Sequence, residues 1–151
     1  MTAGARPSWS PALLGALATA FYLATVQRQL WGDGVTFFDR LRQGGDQLLY
    51  NHALFLPLAK LVERVVSLVV PIDAERAMKV LAALAGGVGV GLTAAAGEIL
   101  LRHRGHAAAA AAGVALMIGQ WFHSTTAELH SLHGACAALL WLCLLAVVHL
   151  R

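Results

Sequence analysis

Apolar residues fall into four long blocks along the chain, separated by shorter polar stretches. These blocks are apolar around the whole helix rather than on one face, so they predict transmembrane helices over 11–31, 77–101, 107–122 and 132–150. Trp9 and Trp31 bracket the first block. As helix, their separation spans about 33 Å, which fits aromatic belts at the two faces of a bilayer. Ala18-Thr19-Ala20 also fits a signal-peptide cleavage site, but the apolar stretch continues past it, which favours an uncleaved helix.

A fifth block, 53–69, has a different pattern. Lys60, Glu63, Arg64 and Ser67 recur at helical spacing and form one polar stripe on an otherwise apolar cylinder. Three charges at mid-membrane are costly, whereas an amphipathic helix lying in the interface leaves them in water. The block therefore predicts an interfacial helix. The preceding loop, 32–51, is punctuated by Gly32, Gly34, Gly44 and Gly45, and 35–41 fits a short amphipathic turn of helix. Within the second span, the run GGVGVG (86–91) lacks the Lys-Ser/Thr of a nucleotide loop, and Gly87-x-x-x-Gly91 is a helix-packing pattern. The alanines at 107–112 suit the third span to close packing, and Glu98 and Arg102 are spaced to pair as the second span ends.

Composition sharpens this into a fold class. The chain of 151 residues is 58% hydrophobic and 13% charged, well outside the range of soluble domains. The expected architecture is a single all-α integral membrane domain over 1–151, with four transmembrane helices plus one interfacial amphipathic helix. The net charge of +3 is scattered between apolar runs, with no basic face for nucleic acid. Cys136 and Cys143 would lie about 10 Å apart on one helix, too far for a disulfide, and read as reduced packing residues. Four spans place 32–76 and 121–131 on one side of the membrane and 102–106 on the other. The positive-inside rule puts Arg6, Arg102, Arg104 and Arg151 in the cytoplasm, so a multi-pass protein of a bacterial-type inner membrane is expected.

The chemistry concentrates in a polar island, 121–133, holding Glu128 and three of the seven histidines. His123, Glu128 and His130, with His133 three residues further on, offer donors for a divalent cation, although no established zinc spacing is present. Thr125-x-x-Glu128 before an apolar run also fits a capping box. Asp33 lies between two glycines just after the first span. It suits a general base or a cation ligand, and equally an ordinary turn residue.

Ala127-Glu128-Leu129-His130-Ser131-Leu132-His133 resembles the alanine-glutamate-valine-tyrosine-x-leucine-asparagine signature of membrane glycosyltransferases with the C-type fold, the superfamily of protein O-mannosyltransferases. Gly32-Asp33-Gly34 resembles the glycine-aspartate motif of that family's first extracytoplasmic loop, and the stretch from His52 to Lys60 its histidine-proline-proline segment. The order of parts matches over most of 11–150. The resemblance implies a lipid-linked (polyprenyl-phosphate) sugar donor and an extracytoplasmic acceptor. It further implies Asp33 as catalytic base, Glu128 as a supporting acid, and Arg40, Arg42, His52, His130 and His133 near the substrates. The chain departs from the pattern where His130 and His133 replace tyrosine and asparagine, and where no double proline follows His52. With four spans it corresponds to the N-terminal part, or a truncated relative, of such an enzyme. The alternative from another class is a non-enzymatic membrane protein that packs into a larger complex with other membrane subunits through Gly87/Gly91 and the 107–112 alanines. A third is a metal-binding membrane protein centred on the polar island.

Overall fold

The computed structural model describes residues 10–42 and 54–149, and its regular elements are all α-helices. In chain order they are α1 (Ser10–Ala24), α2 (Asp33–Arg42), α3 (Phe55–Ser67), α4 (Ala74–Leu101), α5 (Arg104–Leu116), α6 (Ile118–Thr125) and α7 (His130–His149). Two of them, α4 with 28 residues and α7 with 20, are long and apolar enough to cross a membrane. The expected short helix at 35–41 is present as α2, and that at 53–69 as α3.

The second apolar block becomes the axis of the molecule. Its helix starts sharply because Asp73, extended at ψ 172°, accepts a hydrogen bond from the Arg76 amide (2.8 Å) as an N-cap. It stops where Arg102 turns left-handed at φ 51°. Between these ends α4 touches every other helix, and its glycines explain how. A Cβ on Gly87 would collide with Thr19 Oγ1 and come within 2.6 Å of the Gly15 carbonyl oxygen. One on Gly91 would lie 2.9 Å from the Pro11 carbonyl oxygen. Gly86 faces Ser124 of α6, Gly89 faces Ala135 of α7, and Gly97 faces Ala107 of α5. Each neighbour thus rests on bare backbone, the kind of close contact that membrane helices use in place of a hydrophobic drive. The Gly87/Gly91 face is covered by α1 of the same chain, and of the 107–112 alanines Ala107 and Ala111 are buried inside the bundle. The Gly87/Gly91 face is thus occupied by α1, while Ala109, Ala110 and Ala112 of the alanine run stand exposed.

Several expectations change. The first helix ends at Ala24, not near residue 31, so Trp31 follows a non-helical segment and stands exposed; Trp9 lies outside the described residues. Lys79 of α4 accounts for that segment's position. It is buried, pairs with Glu75 one turn earlier, and donates to the Arg28 carbonyl (3.2 Å). Glu98 does not simply close on Arg102: it accepts a 2.5 Å hydrogen bond from Ser10 at the start of α1, while Arg102 is taken up by the left-handed turn. Cys136 and Cys143 are free, as expected, but sit exposed on α7 rather than packed.

The third block is broken. The helix interrupts at Met117 (φ −58°, ψ 132°), dividing it into α5 and α6. In an unbroken helix the Ala115 carbonyl would accept from the amide four residues on. Here it accepts instead from the buried Tyr22 hydroxyl of α1 (3.0 Å). The indole of Trp121 donates to Thr25 Oγ1 (2.9 Å), and the Gln27 amide to the Thr125 carbonyl (3.0 Å), so α6 is tied along its length to the end of α1.

Helix α3 buries Phe55, Leu56 and Ala59 against the bundle, where Phe37 of α2 meets Phe55 with ring centroids 5.2 Å apart. Leu54, Leu61, Val65 and Leu68 share a separate, exposed side, while Arg64 and Ser67 point into solvent space between the two.

The α1–α4 contact makes a direct prediction. Gly87→Leu should lower stability by about 1–3 kcal/mol or abolish folding, because the added side chain has no room to relax. Gly113→Ala, whose Cβ meets nothing within 4 Å, should stay within about 1 kcal/mol of the parent. Thermal unfolding in detergent micelles compares the two.

Candidate functional site

The polar island is a tight connection between two helices. Thr125 and Thr126 turn their hydroxyls back onto the carbonyls of the preceding turn, Thr125 Oγ1 donating to Trp121 (2.8 Å) and Thr126 Oγ1 to Phe122 (2.9 Å). This back-bonding accompanies the end of α6, and Thr126 then goes extended (φ −110°, ψ 165°). Ala127 and Leu129 are buried in an apolar cluster with Phe37, Phe55, Met78 and Leu81. The link is anchored by these apolar residues and by the buried Ser124, Thr125 and Thr126, with Glu128 only partly exposed between Ala127 and Leu129.

Thr125 is therefore the last residue of α6 and not the cap of α7, so the capping-box expectation fails. Glu128 is engaged elsewhere. Its Oε2 lies 2.8 Å from His123 Nδ1, with the carboxylate side chain 13% exposed and the imidazole 35%. The two atoms share one hydrogen between them. His130, the first residue of α7, stacks on His123 with ring centroids 4.5 Å apart. His133 follows one turn later, its ring centroid 6.4 Å from that of His130. Ligand atoms of His123, Glu128 and His130 all lie within 4.8 Å of one another. The three residues expected as metal donors are thus the ones the fold gathers, and His133 stands outside that group.

The Gly32-Asp33-Gly34 loop lies against this link. Gly32 is left-handed at φ +52°, and a Cβ there would sit 2.9 Å from Glu128 Oε1. A Cβ on Gly34 would meet the Ala127 carbonyl oxygen at 2.6 Å. Both glycines flanking Asp33 thus rest on the two residues Ala127-Glu128, with glycine favoured at 32 by the left-handed backbone and at 34 by the close backbone contact. Asp33 opens α2 from an exposed position, where its negative charge complements the helix N-terminus. It belongs to the same wall of the molecule as Glu128, His123 and His130. Arg40 and Arg42 sit in the last turn of α2, about 10 to 14 Å along the helix from Asp33. They suit the helix C-terminus there. His52 lies outside the described residues.

Sequence reasoning missed a second polar group just behind this wall. Gln120 donates to Ser124 Oγ (3.1 Å), and Ser124 lies 3.2 Å from Ser131 Oγ, with both serines buried. Gln27 Nε2 reaches Thr125 Oγ1 at 3.3 Å. The available signal was the four-residue spacing of Gln120 and Ser124, which marks one polar stripe on α6 within a block otherwise read as uniform span. Chemically, the wall offers an exposed carboxylate able to take a proton, a mostly buried carboxylate fixed by an imidazole, and a second imidazole open to solvent.

Comparison with protein-family models, curated proteins and solved structures finds no match to this chain.

The packing of the glycine loop on Glu128 is testable through Gly32. Gly32→Ala should cost about 1–2 kcal/mol from the left-handed backbone alone, and more from the displaced carboxylate. Gly119→Ala, with nothing within 4 Å of the new Cβ, is the matched control. Equal unfolding midpoints for the two variants would refute the contact.

Proposed function

We propose that the chain is the N-terminal part, or a truncated relative, of a membrane glycosyltransferase with the C-type fold. It would move a sugar from a polyprenyl-phosphate carrier to an extracytoplasmic acceptor. The observation that carries this reading is the seating of Gly32 and Gly34 on Ala127-Glu128. Two motifs about a hundred residues apart resemble parts of one family's site, and that reading requires them to meet. Asp33 is the general base that activates the acceptor. Glu128 is the supporting acid, oriented by His123, and His130 faces the substrates.

In this reading α1, α4, the α5–α6 pair and α7 are the four spans of a multi-pass inner-membrane protein. Helix α3 lies in the interface, its exposed Leu54, Leu61, Val65 and Leu68 in the acyl boundary. The site then opens at the non-cytoplasmic surface, and the Arg102–His106 turn faces the cytoplasm. The non-enzymatic reading loses its glycine face, which α1 of the same chain covers, and keeps the exposed Ala109, Ala110 and Ala112.

Sidedness is checked with single-cysteine variants in a background lacking Cys136 and Cys143. A membrane-impermeant maleimide should label Thr36→Cys in intact cells and His106→Cys only after permeabilisation. Labelling of both from the same side would overturn the topology.

Activity is checked with the full chain in bilayer nanodiscs, given polyprenyl-phosphate-linked hexoses and a panel of acceptors. Asp33→Asn should lower transfer by about 100-fold or more, with Thr36→Ala close to the parent. Undiminished transfer by the Asp33→Asn variant, or none by the parent protein, rejects the assignment.

A further inference from the structure

Glu128 presents an unusual situation for a carboxylate. Its side chain is 13% exposed, and Oε2 is occupied by His123. Among the described residues, Oε1 receives no hydrogen bond, and it points to the place left open by the missing side chain of Gly32. Oε1 thus faces the Gly32 loop, and Oε2 is the oxygen on the side of the imidazoles. Two imidazoles lie there, one already in contact with the carboxylate and the other stacked on the first.

We infer that His123, Glu128 and His130 form a divalent transition-metal site of the zinc class, built on the α6–α7 connection. Two imidazole nitrogens and one carboxylate oxygen are a borderline donor set suited to Zn(II) and its neighbours, and poorly suited to Ca(II) or Mg(II). The spacing is close to what such an ion needs. Donors about 2.0–2.1 Å from a tetrahedral zinc are separated by about 3.3–3.5 Å. The three donor atoms already lie within 4.8 Å of one another, and His123 Nδ1 and Glu128 Oε2 are at 2.8 Å. The longer edges close by rotation of the exposed His130 side chain. The ion takes the place of the hydrogen between Nδ1 and Oε2, which passes to water as the metal binds.

The backbone beneath the donors is prepared for this role. Ser124 to Ala127 and Leu129 are all buried, so the three donors project from a fixed connection. Among the described residues three protein ligands converge and His133 stands outside the group, which leaves a coordination position open to water or to an oxygen of a substrate. An open position is the mark of a reactive zinc site rather than a purely structural one. This assignment stands on the donor geometry and does not depend on the transferase reading. Where that reading holds, the open position is placed to meet phosphate oxygens of the donor beside the Asp33 loop.

The test uses the full chain, purified without a histidine tag, stripped with chelator and titrated with Co(II) and then Zn(II). The parent protein should bind one equivalent of Co(II), with visible d–d absorption of a four- or five-coordinate site, and Zn(II) should displace it. His130→Ala carries the test, because its side chain is exposed and its loss leaves packing intact. Its affinity should fall at least tenfold, as should that of His123→Ala and Glu128→Gln, each verified by unchanged thermal unfolding of the metal-free protein. The His103→Ala/His106→Ala double variant removes the stacked histidine pair at the opposite end of the bundle and should bind as the parent does. Absence of a stoichiometric Co(II) spectrum, or binding that survives His130→Ala and is lost in the double variant, overturns the inference. Asp33→Asn separates this from the transferase reading: it should abolish sugar transfer while Co(II) binding persists.

Discussion

Helix α1 lies backbone to backbone on α4 at Gly15, Gly87 and Gly91, with Thr19 filling the space beside Gly87, and the position of nearly everything functional follows from that contact. A single side chain between the two helices would push α1 outward. The Tyr22 hydroxyl would then leave the Ala115 carbonyl, Trp121 would lose Thr25, and Gln27 would lose Thr125. Those bonds set where α6 ends, and the end of α6 sets where His123 and Glu128 stand. The site at the surface is thus determined by packing some two helical turns or more below it.

The other face of the arrangement is apolar. Phe37, Phe55, Met78 and Leu81 gather around Ala127 and Leu129, so α2, α3 and the start of α4 close beneath the α6–α7 connection. Lys79 contributes a polar clamp on the same level by holding the Arg28 carbonyl. With anchoring from both sides, the connection has little freedom, and its polar side chains inherit that rigidity. Support of this kind holds neighbouring polar groups in a fixed mutual geometry.

Helix content and the grouping of helices were legible in the residue pattern, because apolar blocks bounded by Gly, Pro and charged residues leave few alternatives. The packing role of Gly87 and Gly91 was legible as well, although the partner proved to be α1 and not a second subunit. The limits of α1 and the break at Met117 were not. Residues 107–122 carry no proline, and local propensity favours an uninterrupted helix; the break depends on a tyrosine about ninety residues away. The site shows the same division. His123, Glu128 and His130 could be listed from proximity in sequence, but the capping box suggested by Thr125 and Glu128 gave way once α6 extended through Thr125. Arg40 and Arg42 looked near Asp33 along the chain, yet a helix carried them away from it.

The hydrogen bond from Tyr22 to Ala115 has a consequence for how the protein is made. Segment 104–125 emerges from the ribosome long after α1, and on its own it gains most by closing every backbone bond as a straight rod. The bend at Met117 frees the Ala115 carbonyl, and the Tyr22 hydroxyl donates to it in place of the helix amide. The final shape of this segment is therefore tied to the seating of α1 on α4. The histidine–glutamate cluster is accordingly a product of tertiary assembly rather than of local folding.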